Sequence, residues 1–136
     1  MVNNIFDQFF QYGFHDTEIT SIIHDGRNIK LNFNKGIYLL DENGKETILS
    51  KPMQVILKIN SDFDSLDEVF EIKEFGKKFK YIDYILLEKY LQKDTFGILM
   101  TYYSKFNSSI LFEGGINNKK IIFSIDEIAE ITFCEL

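Results

Sequence analysis

The sequence is poor in the residues that mark several protein classes. Its 136 residues include one cysteine, Cys134, one proline, eight glycines and no tryptophan. A single cysteine excludes a disulfide framework within the chain and any metal site built from clustered cysteines. So few glycines and prolines exclude collagen-like and linker-rich architectures. No run approaches the ~20 apolar residues that span a bilayer, so we expect no membrane segment.

What remains is the composition of one globular domain. Hydrophobic residues make up 45% of the chain and charged residues 26%, which is usual for folded proteins. This length suits a single domain with one hydrophobic core, which we assign to residues 1–136. The first residues lack the basic start and continuous apolar stretch of a secretory signal, and the excess of Ile, Asn, Lys and Phe over Ala favours an AT-rich bacterial genome. We therefore expect a cytoplasmic bacterial protein.

The net charge of −6 is confined to the first half of the sequence. Residues 1–76 hold 13 acidic and 7 basic side chains, whereas residues 77–136 hold 8 of each. A negative protein repels phosphate backbones, so direct binding of nucleic acid is not expected. A basic protein partner would be attracted instead.

The acidic residues are densest in one stretch, which we call the acidic segment and which comprises Asp62, Asp64, Asp67, Glu68, Glu71 and Glu74. Carboxylates this close repel one another unless a cation or a partner compensates, so we predict that the segment binds a partner. The alternative is a solvated loop and edge strand, whose acids discourage edge-to-edge pairing with other sheets.

Alternating apolar residues and turn pairs predict a protein built mostly from antiparallel strands. Asp25-Gly26 is a pair favoured in tight hairpins, and apolar residues alternate in runs such as 53–59. Because turns rather than helical crossovers join the strands, we predict an α+β fold of antiparallel β meander sheets, curled or two-layered. Eight to ten short strands and two short helices, near 4–11 and 84–93, complete the prediction.

One stretch carries signals for both a helix and a strand. Ser65 and Glu68 fit a capping box at the start of residues 67–75, and Gly76 directly after them fits the end of a helix. Their apolar residues, however, spread around a helical wheel instead of forming one stripe. We therefore predict a strand that pairs with the strand at 79–82.

The two histidines, His15 and His24, are each followed by an aspartate, as metal ligands or general bases oriented by carboxylates would be. They lie nine residues apart, mostly along one predicted strand at 17–24, so their rings would be roughly 30 Å apart at ~3.3 Å per residue. We predict structural roles for both and an inert thiol at Cys134, which lacks a neighbouring cation. With no hydrolase, dinucleotide or metalloprotease motif in the sequence, we predict no enzyme, no catalytic residues, no metal and no cofactor.

The stretch YGFHDTEITSIIHDGRNIKLNF resembles the opening of small bacterial immunity proteins of polymorphic-toxin and contact-dependent inhibition systems. There an aromatic-or-Leu-His-Asp element precedes an apolar strand, a turn and a second strand ending near a glycine. The matching positions are Phe14, His15, Asp16, Ile19, Ile22, Gly26, Ile29, Leu31 and Gly36. The resemblance implies a protein that binds and neutralises a cognate toxin domain, often a nuclease, by occluding its active site. An acidic inhibitor would compete with the phosphate backbone for a basic nuclease.

The alternative function is a generic binding or structural module with no toxin partner. A curled sheet lined by Tyr81, Tyr102 and Tyr103 would hold a small ligand, although in a β-rich core such rings more often serve packing. Gly114-Gly115 lacks the residues and following helix of a phosphate-binding loop, and we predict a hairpin turn or a bulge there.

Overall fold

The structure is a computed structural model that describes residues 11–136. Within this range one α-helix, α1, spans Tyr84–Leu91, and a short 3-10 helix spans Leu66–Glu68. The strands are β1 (Tyr12–Gly13), β2 (Glu18–Ile19), β3 (Ser21–Asp25), β4 (Asn28–Phe33), β5 (Tyr38–Leu40), β6 (Glu46–Leu49), β7 (Met53–Ile59), β8 (Phe70–Phe75), β9 (Phe79–Ile82), β10 (Phe96–Ser104), β11 (Ser109–Ile116), β12 (Lys119–Ile125) and β13 (Ile128–Glu135).

The strands form three sheets in which every described pair is antiparallel. A six-stranded sheet has the order β2-β10-β11-β12-β8-β9, a four-stranded sheet has the order β13-β7-β4-β3, and a small sheet has the order β1-β5-β6. Short turns join five of the ten described strand pairs, as in a meander, whereas the other five pairs join strands that are distant in sequence.

The two larger sheets share one hydrophobic core. Phe14 contacts Phe33 of the four-stranded sheet and Phe112 of the six-stranded sheet, with ring centroids 5.5 and 5.8 Å apart, so it bridges the two layers. Alternate residues point inward, which gives the buried set Ile29, Leu31, Val55, Leu57, Ile59, Ile110, Ile121, Phe123, Ile125 and Ile131. Burying each such side chain contributes about 1.5–3 kcal/mol, and this alternation holds the sheets face to face.

Helix α1 closes one side of this core. The Asp83 carboxylate accepts a hydrogen bond from the backbone N–H of Leu86 (3.0 Å), which caps the helix. The Tyr84 hydroxyl donates to the carbonyl of Ile22 in β3 (3.1 Å), and Leu87 is fully buried. The helix therefore connects β9 to β10 while it packs against the edge of the other sheet.

The fold is mostly β rather than a clear α+β fold, so the prediction is confirmed in its antiparallel sheets but not in its balance of helix and strand. The helix predicted near 84–93 is present, but residues 4–10 of the one predicted near 4–11 lie outside the described residues. The strands number thirteen rather than eight to ten, partly because the strand predicted over 17–24 divides at Thr20. There β2 pairs with β10, whereas β3 pairs with β4, so the chain passes from one sheet to the other.

Both signals in the stretch 67–75 are used, one after the other. The capping box of Ser65 and Glu68 begins the 3-10 helix, and β8 then pairs with β9, which confirms the predicted strand and its partner.

The Gly114-Gly115 pair is not a turn, because it lies inside β11; the hairpin turn is at 117–118. The bulge lies in β10 between Ile98 and Met100, the partners of Gly114 and Glu113. Glycine is required at 114 because a Cβ there would overlap the facing backbone of Gly97.

Candidate functional site

The six-stranded sheet has two ends with opposite charge. Strand β8 begins at Phe70 opposite Ile125 of β12 and ends at Phe75 opposite Lys120, so the same two ends recur on neighbouring strands. They are about 20 Å apart at ~3.3 Å per residue. We call residues 25–27, 60–68, 105–108 and 126–127 the loop end. The opposite end carries Lys73, Lys77, Lys78, Lys80, Lys119 and Lys120, and we call it the lysine end.

Hydrogen bonds to backbone carbonyls tie the four segments of the loop end together. The Arg27 guanidinium donates to the carbonyl of Asn60 (3.1 Å), and the Asn60 N–H donates to the carbonyl of Glu127 (2.8 Å). The Glu127 N–H in turn donates to the carbonyl of Asn107 (3.2 Å). The loops of both sheets therefore form one connected surface, even though they come from distant parts of the sequence.

The loop end is strongly negative. It holds two cationic side chains, Arg27 and Lys105, against the seven carboxylates of Asp25, Asp62, Asp64, Asp67, Glu68, Asp126 and Glu127. Burial raises the pKa of Asp126, and repulsion from Glu71 and Glu127 raises it further. Arg27 pairs with Asp62 and Lys30 with Asp25, so the negative charge of the loop end is offset only in part.

Apolar groups stand among these carboxylates. Phe106, at the tip of the β10–β11 hairpin, is 100% exposed, which is unusual for a residue this hydrophobic. Nearby, the Phe63 ring stacks on the ring of His24, with centroids 4.7 Å apart. Ile23 is also exposed in β3. An exposed aromatic beside a rim of charge is the arrangement that protein interfaces use as an anchor.

Four members of the acidic segment lie at the loop end, and they differ in exposure and in hydrogen bonding. Asp62 and Asp64 are exposed, and Asp62 pairs with Arg27 at 3.3 Å. The Asp67 carboxylate accepts from the N–H of Tyr84 (2.7 Å), whereas Glu68 accepts from the N–H of Asp64 (2.7 Å). Asp67 and Glu68 therefore hold the loop and α1 in place, while Asp62 and Asp64 are available to a partner.

The last two members of the segment lie on β8, beyond the loop end. Glu71 faces the outer side of the sheet beside Lys73 (3.5 Å). Glu74 is only 7% exposed and is held by the Tyr90 hydroxyl, which donates at 2.5 Å, with Lys80 at 3.3 Å and Lys119 at 3.8 Å. Partner binding by the segment stays a prediction, and Glu74 is not accessible for it.

The environment of Glu74 stabilises its charged form. The hydrogen bond from Tyr90 lowers the pKa of Glu74, and the two lysines lower it further, against the opposing effect of burial. Burial and the hydrogen bond to Glu74 raise the pKa of Tyr90 to about 12. A carboxylate inside and lysines outside thus characterise the lysine end.

Aromatic rings accompany the lysines on the outer face of the sheet. The Lys73 ammonium lies 5.6 Å from the ring centroids of both Phe79 and Tyr81, and that of Lys120 lies 5.5 Å from the ring of Phe75. Phe79 is 52% and Tyr81 63% exposed. Cross-strand register causes this arrangement, since Lys73 faces Tyr81 and Phe75 faces both Phe79 and Lys120.

Sequence reasoning missed this surface because its residues come from two separate stretches. The half that begins at residue 77 is neutral overall, and Lys119 and Lys120 join the others only through the β12–β8 pairing. The run KEFGKKFKY, residues 73–81, was the available signal. It contains four lysines and three aromatic residues in nine positions.

The other candidate residues are spread over the surface. His15 is exposed and lies 3.4 Å from its neighbour Asp16, while His24 bonds the carbonyl of Gly26 at 2.7 Å. Cys134 is a half-buried free thiol in β13. Among residues 11–136, no three or more His, Cys, Asp or Glu side chains are grouped to hold a metal ion.

A groove in the described part of the chain does not involve the tyrosines of the alternative hypothesis. It is an open groove of about 730 Å³ beside β10 and β11, and its lining includes Gly97, Gly114 and Gly115. Tyr81, Tyr102 and Tyr103 do not line it.

No protein-family model, curated protein or solved structure matches the chain. In the described part, no helix is both long enough and apolar enough to cross a membrane. A function must therefore be argued from the surface of this molecule.

Proposed function

We propose that this chain is a non-enzymatic immunity protein that binds a basic bacterial toxin domain through the loop end and occludes its active site. The observation that carries the proposal is the fully exposed Phe106 ring on a hydrogen-bonded, strongly negative surface. A nuclease toxin binds phosphates, so its active site is basic. The negative charge of the loop end therefore suits that target.

Each group at the loop end has a distinct task in such a complex. The exposed carboxylates of Asp62 and Asp64 steer the basic toxin and form charge-assisted hydrogen bonds to its Lys and Arg side chains. Phe106 enters a pocket on the toxin and supplies most of the contact energy, as aromatic anchors do. Because the loops are already joined by hydrogen bonds, little ordering is needed on binding.

The resemblance to immunity proteins supports the proposal, since its motif forms a turn that hydrogen bonds hold against the core. Phe14 is buried between the sheets, and Asp16 adopts a positive φ of 60° while its N–H donates to the carbonyl of Ile98 (2.9 Å). Thr17 closes the turn by donating from its hydroxyl to the carbonyl of Phe14 (2.6 Å). A motif that fixes the fold is what a binding protein without chemistry would retain.

The proposal predicts that a toxin-like C-terminal domain is encoded next to this gene, and the test uses that domain. Co-expression should protect cells, and the purified pair should form a complex with a measurable Kd. Phe106→Ala should weaken the complex by about 2 kcal/mol, or roughly 30-fold. Asp62→Lys with Asp64→Lys should slow association and reduce its dependence on salt.

The matched control reverses two acids away from the loop end, Glu42→Lys with Glu135→Lys, which are exposed and change the net charge equally. Asp67 is left intact because its carboxylate holds α1. Absence of both protection and a complex would reject the proposal. Equal affinities for the loop-end variants and the control would place the interface elsewhere and also reject it.

A further inference from the structure

We propose that the lysine end is a binding site for single-stranded nucleic acid. The outer face would stack unpaired bases on Phe79 and Tyr81, while the surrounding lysines neutralise the phosphates. This inference is independent of the proposed toxin partner, because the loop end lies at the other end of the strands.

The aromatic rings lie where a nucleotide strand has access. β9 is the last strand of the six-stranded sheet, so among the described residues no strand covers its outer edge. Phe79 and Tyr81 point to the outer face and are more than half exposed. Exposed aromatics on an open sheet face are a recurrent platform for base stacking, worth about 1–3 kcal/mol per base.

Cations flank the rings on both sides. Lys73 and Lys120 lie on the same face, within 6 Å of aromatic ring centroids. Lys77 and Lys78 are exposed in the β8–β9 turn, and within the described residues neither forms an ion pair with a carboxylate. These four ammonium groups are therefore placed to contact successive phosphates.

The net charge of −6 does not oppose binding at this end. Glu74 is buried and already neutralised by Lys80 and Lys119. On the outer face Glu71 pairs with Lys73 (3.5 Å) and Glu113 pairs with Lys120 (3.4 Å), so a phosphate at either of these lysines takes the place of a carboxylate, whereas Lys77 and Lys78 are available directly. The carboxylates of the loop end are roughly 10 Å from Lys73 and Tyr81, which lie three residues along β8 from Phe70, and about 20 Å from Lys77 and Lys78. Since the Debye length is about 8 Å at physiological salt, their field is largely screened here.

The combination of groups favours nucleic acid over an acidic protein. An acidic peptide would satisfy the lysines but leave the Phe79 and Tyr81 rings exposed to water. An unpaired strand uses both, because each nucleotide offers a phosphate and a planar base. A duplex hides its bases and would use only the lysines.

The first measurement is fluorescence anisotropy of labelled dodecamers of deoxythymidine and of uridine with the full chain at several salt concentrations. Four phosphate contacts predict a slope of log K against log salt near −2.8. Lys77→Glu with Lys78→Glu should weaken binding at least tenfold and bring the slope to about −1.4. The control Lys45→Glu with Lys51→Glu makes the same change of net charge at exposed sites outside the lysine end and should bind like wild type.

The second measurement separates stacking from charge. Tyr81→Leu keeps an apolar residue on β9 and should weaken dodecamer binding about fivefold or more, with the salt slope unchanged. The Tm of each variant, compared with that of wild type, tests whether the substitution leaves the protein folded. A Tyr81→Leu variant that is folded and binds like wild type would overturn the stacking role and with it the proposal.

Three further outcomes would overturn the inference: no saturable binding at low salt, equal binding of a duplex, or equal binding of a polyglutamate peptide. Salt-sensitive self-association, with the loop end of a second copy occupying the lysine end, would also contradict it. Asp62→Lys with Asp64→Lys should leave dodecamer binding intact or strengthen it. Failure of the toxin proposal and failure of this one are thus distinguishable.

Discussion

At the lysine end of the six-stranded sheet a carboxylate is buried beside exposed cations, whereas at the loop end the carboxylates are exposed or half-buried and the two cations, Arg27 and Lys105, are exposed. Glu74 gains three partners, Tyr90, Lys80 and Lys119. Asp126 gains none among its neighbours' side chains and instead faces the like charges of Glu71 and Glu127. The same chemical group is thus stabilised at one end and strained at the other.

The difference follows from strand direction. β8 carries its residues from the loop end to the lysine end, so Glu71 and Glu74 are separated although only two residues lie between them. Because β12 runs the opposite way, it brings Lys119 and Lys120 to the end where β8 finishes. Antiparallel pairing can therefore bring charged residues from separate parts of the sequence together at two ends of opposite charge.

The largest expected effect comes from a change in β11, which runs between the two ends. Gly114→Ala places a Cβ against the carbonyl oxygen of Gly97, and we expect a loss of about 3 kcal/mol in the free energy of unfolding. Gly97→Ala is the matched control, since its nearest atom would be 3.9 Å away. Urea denaturation compares the two, and similar midpoints would show that the close approach is not required.

Removal of the buried carboxylate should break the lysine end selectively. Glu74→Ala leaves the Tyr90 hydroxyl and two lysines without their acceptor, and we expect a loss of about 2 kcal/mol. Glu71→Ala, on the same strand, removes only an exposed ion pair and should cost less than about 0.5 kcal/mol. Equal costs in urea denaturation would mean that the network at Glu74 adds no stability.

The stabilisation at Glu74 should depend on pH. Its pKa in the folded protein is below the ordinary value near 4.5, so its contribution is present above that value and is lost as the pH falls through the lowered pKa. The stability difference between wild type and Glu74→Gln, about 1 kcal/mol near neutral pH, should therefore disappear in acid. A difference that persists unchanged to low pH would contradict this assignment.

Local signals in the sequence predict much of the fold. Alternation of apolar residues identified β4 and β7, and the Asp25-Gly26 turn identified β3 as the hairpin partner of β4. The spread of apolar residues around a helical wheel identified β8 as a strand, together with its partner β9. The passage between sheets at Thr20 was not predictable, because no turn signal separates β2 from β3 and the partner of β2, strand β10, lies far along the chain. Local patterns report which face is buried, not which sheet buries it.

The same limit applies to the candidate site. Charge density predicted the acidic segment, and the structure places Asp62 and Asp64 where that prediction requires exposed groups. Neither the burial of Glu74 nor the lysine end could be read from the composition of each half, since both depend on which residues face each other across strands. Phe106 likewise looked like any other aromatic residue, because its exposure depends on a hairpin tip.

The smallest effect has the opposite sign and tests the comparison most directly. Asp126→Asn removes a half-buried carboxylate that is repelled by Glu71 and Glu127, and we expect it to stabilise the protein by a few tenths of a kcal/mol, because solvent screens the repulsion. That gain corresponds to a rise in Tm of about 1 °C.

Because the pKa of Asp126 is raised in the folded protein, its unfavourable contribution develops as the pH rises through that pKa and is absent in acid. Calorimetry at pH 7 and at pH values below 4 should therefore show a gain only at the higher pH, whereas Asp62→Asn, in an exposed ion pair with Arg27, should give no gain at either. If Asp126→Asn and Glu74→Gln changed stability in the same direction, the two ends would not differ in the way their charges indicate.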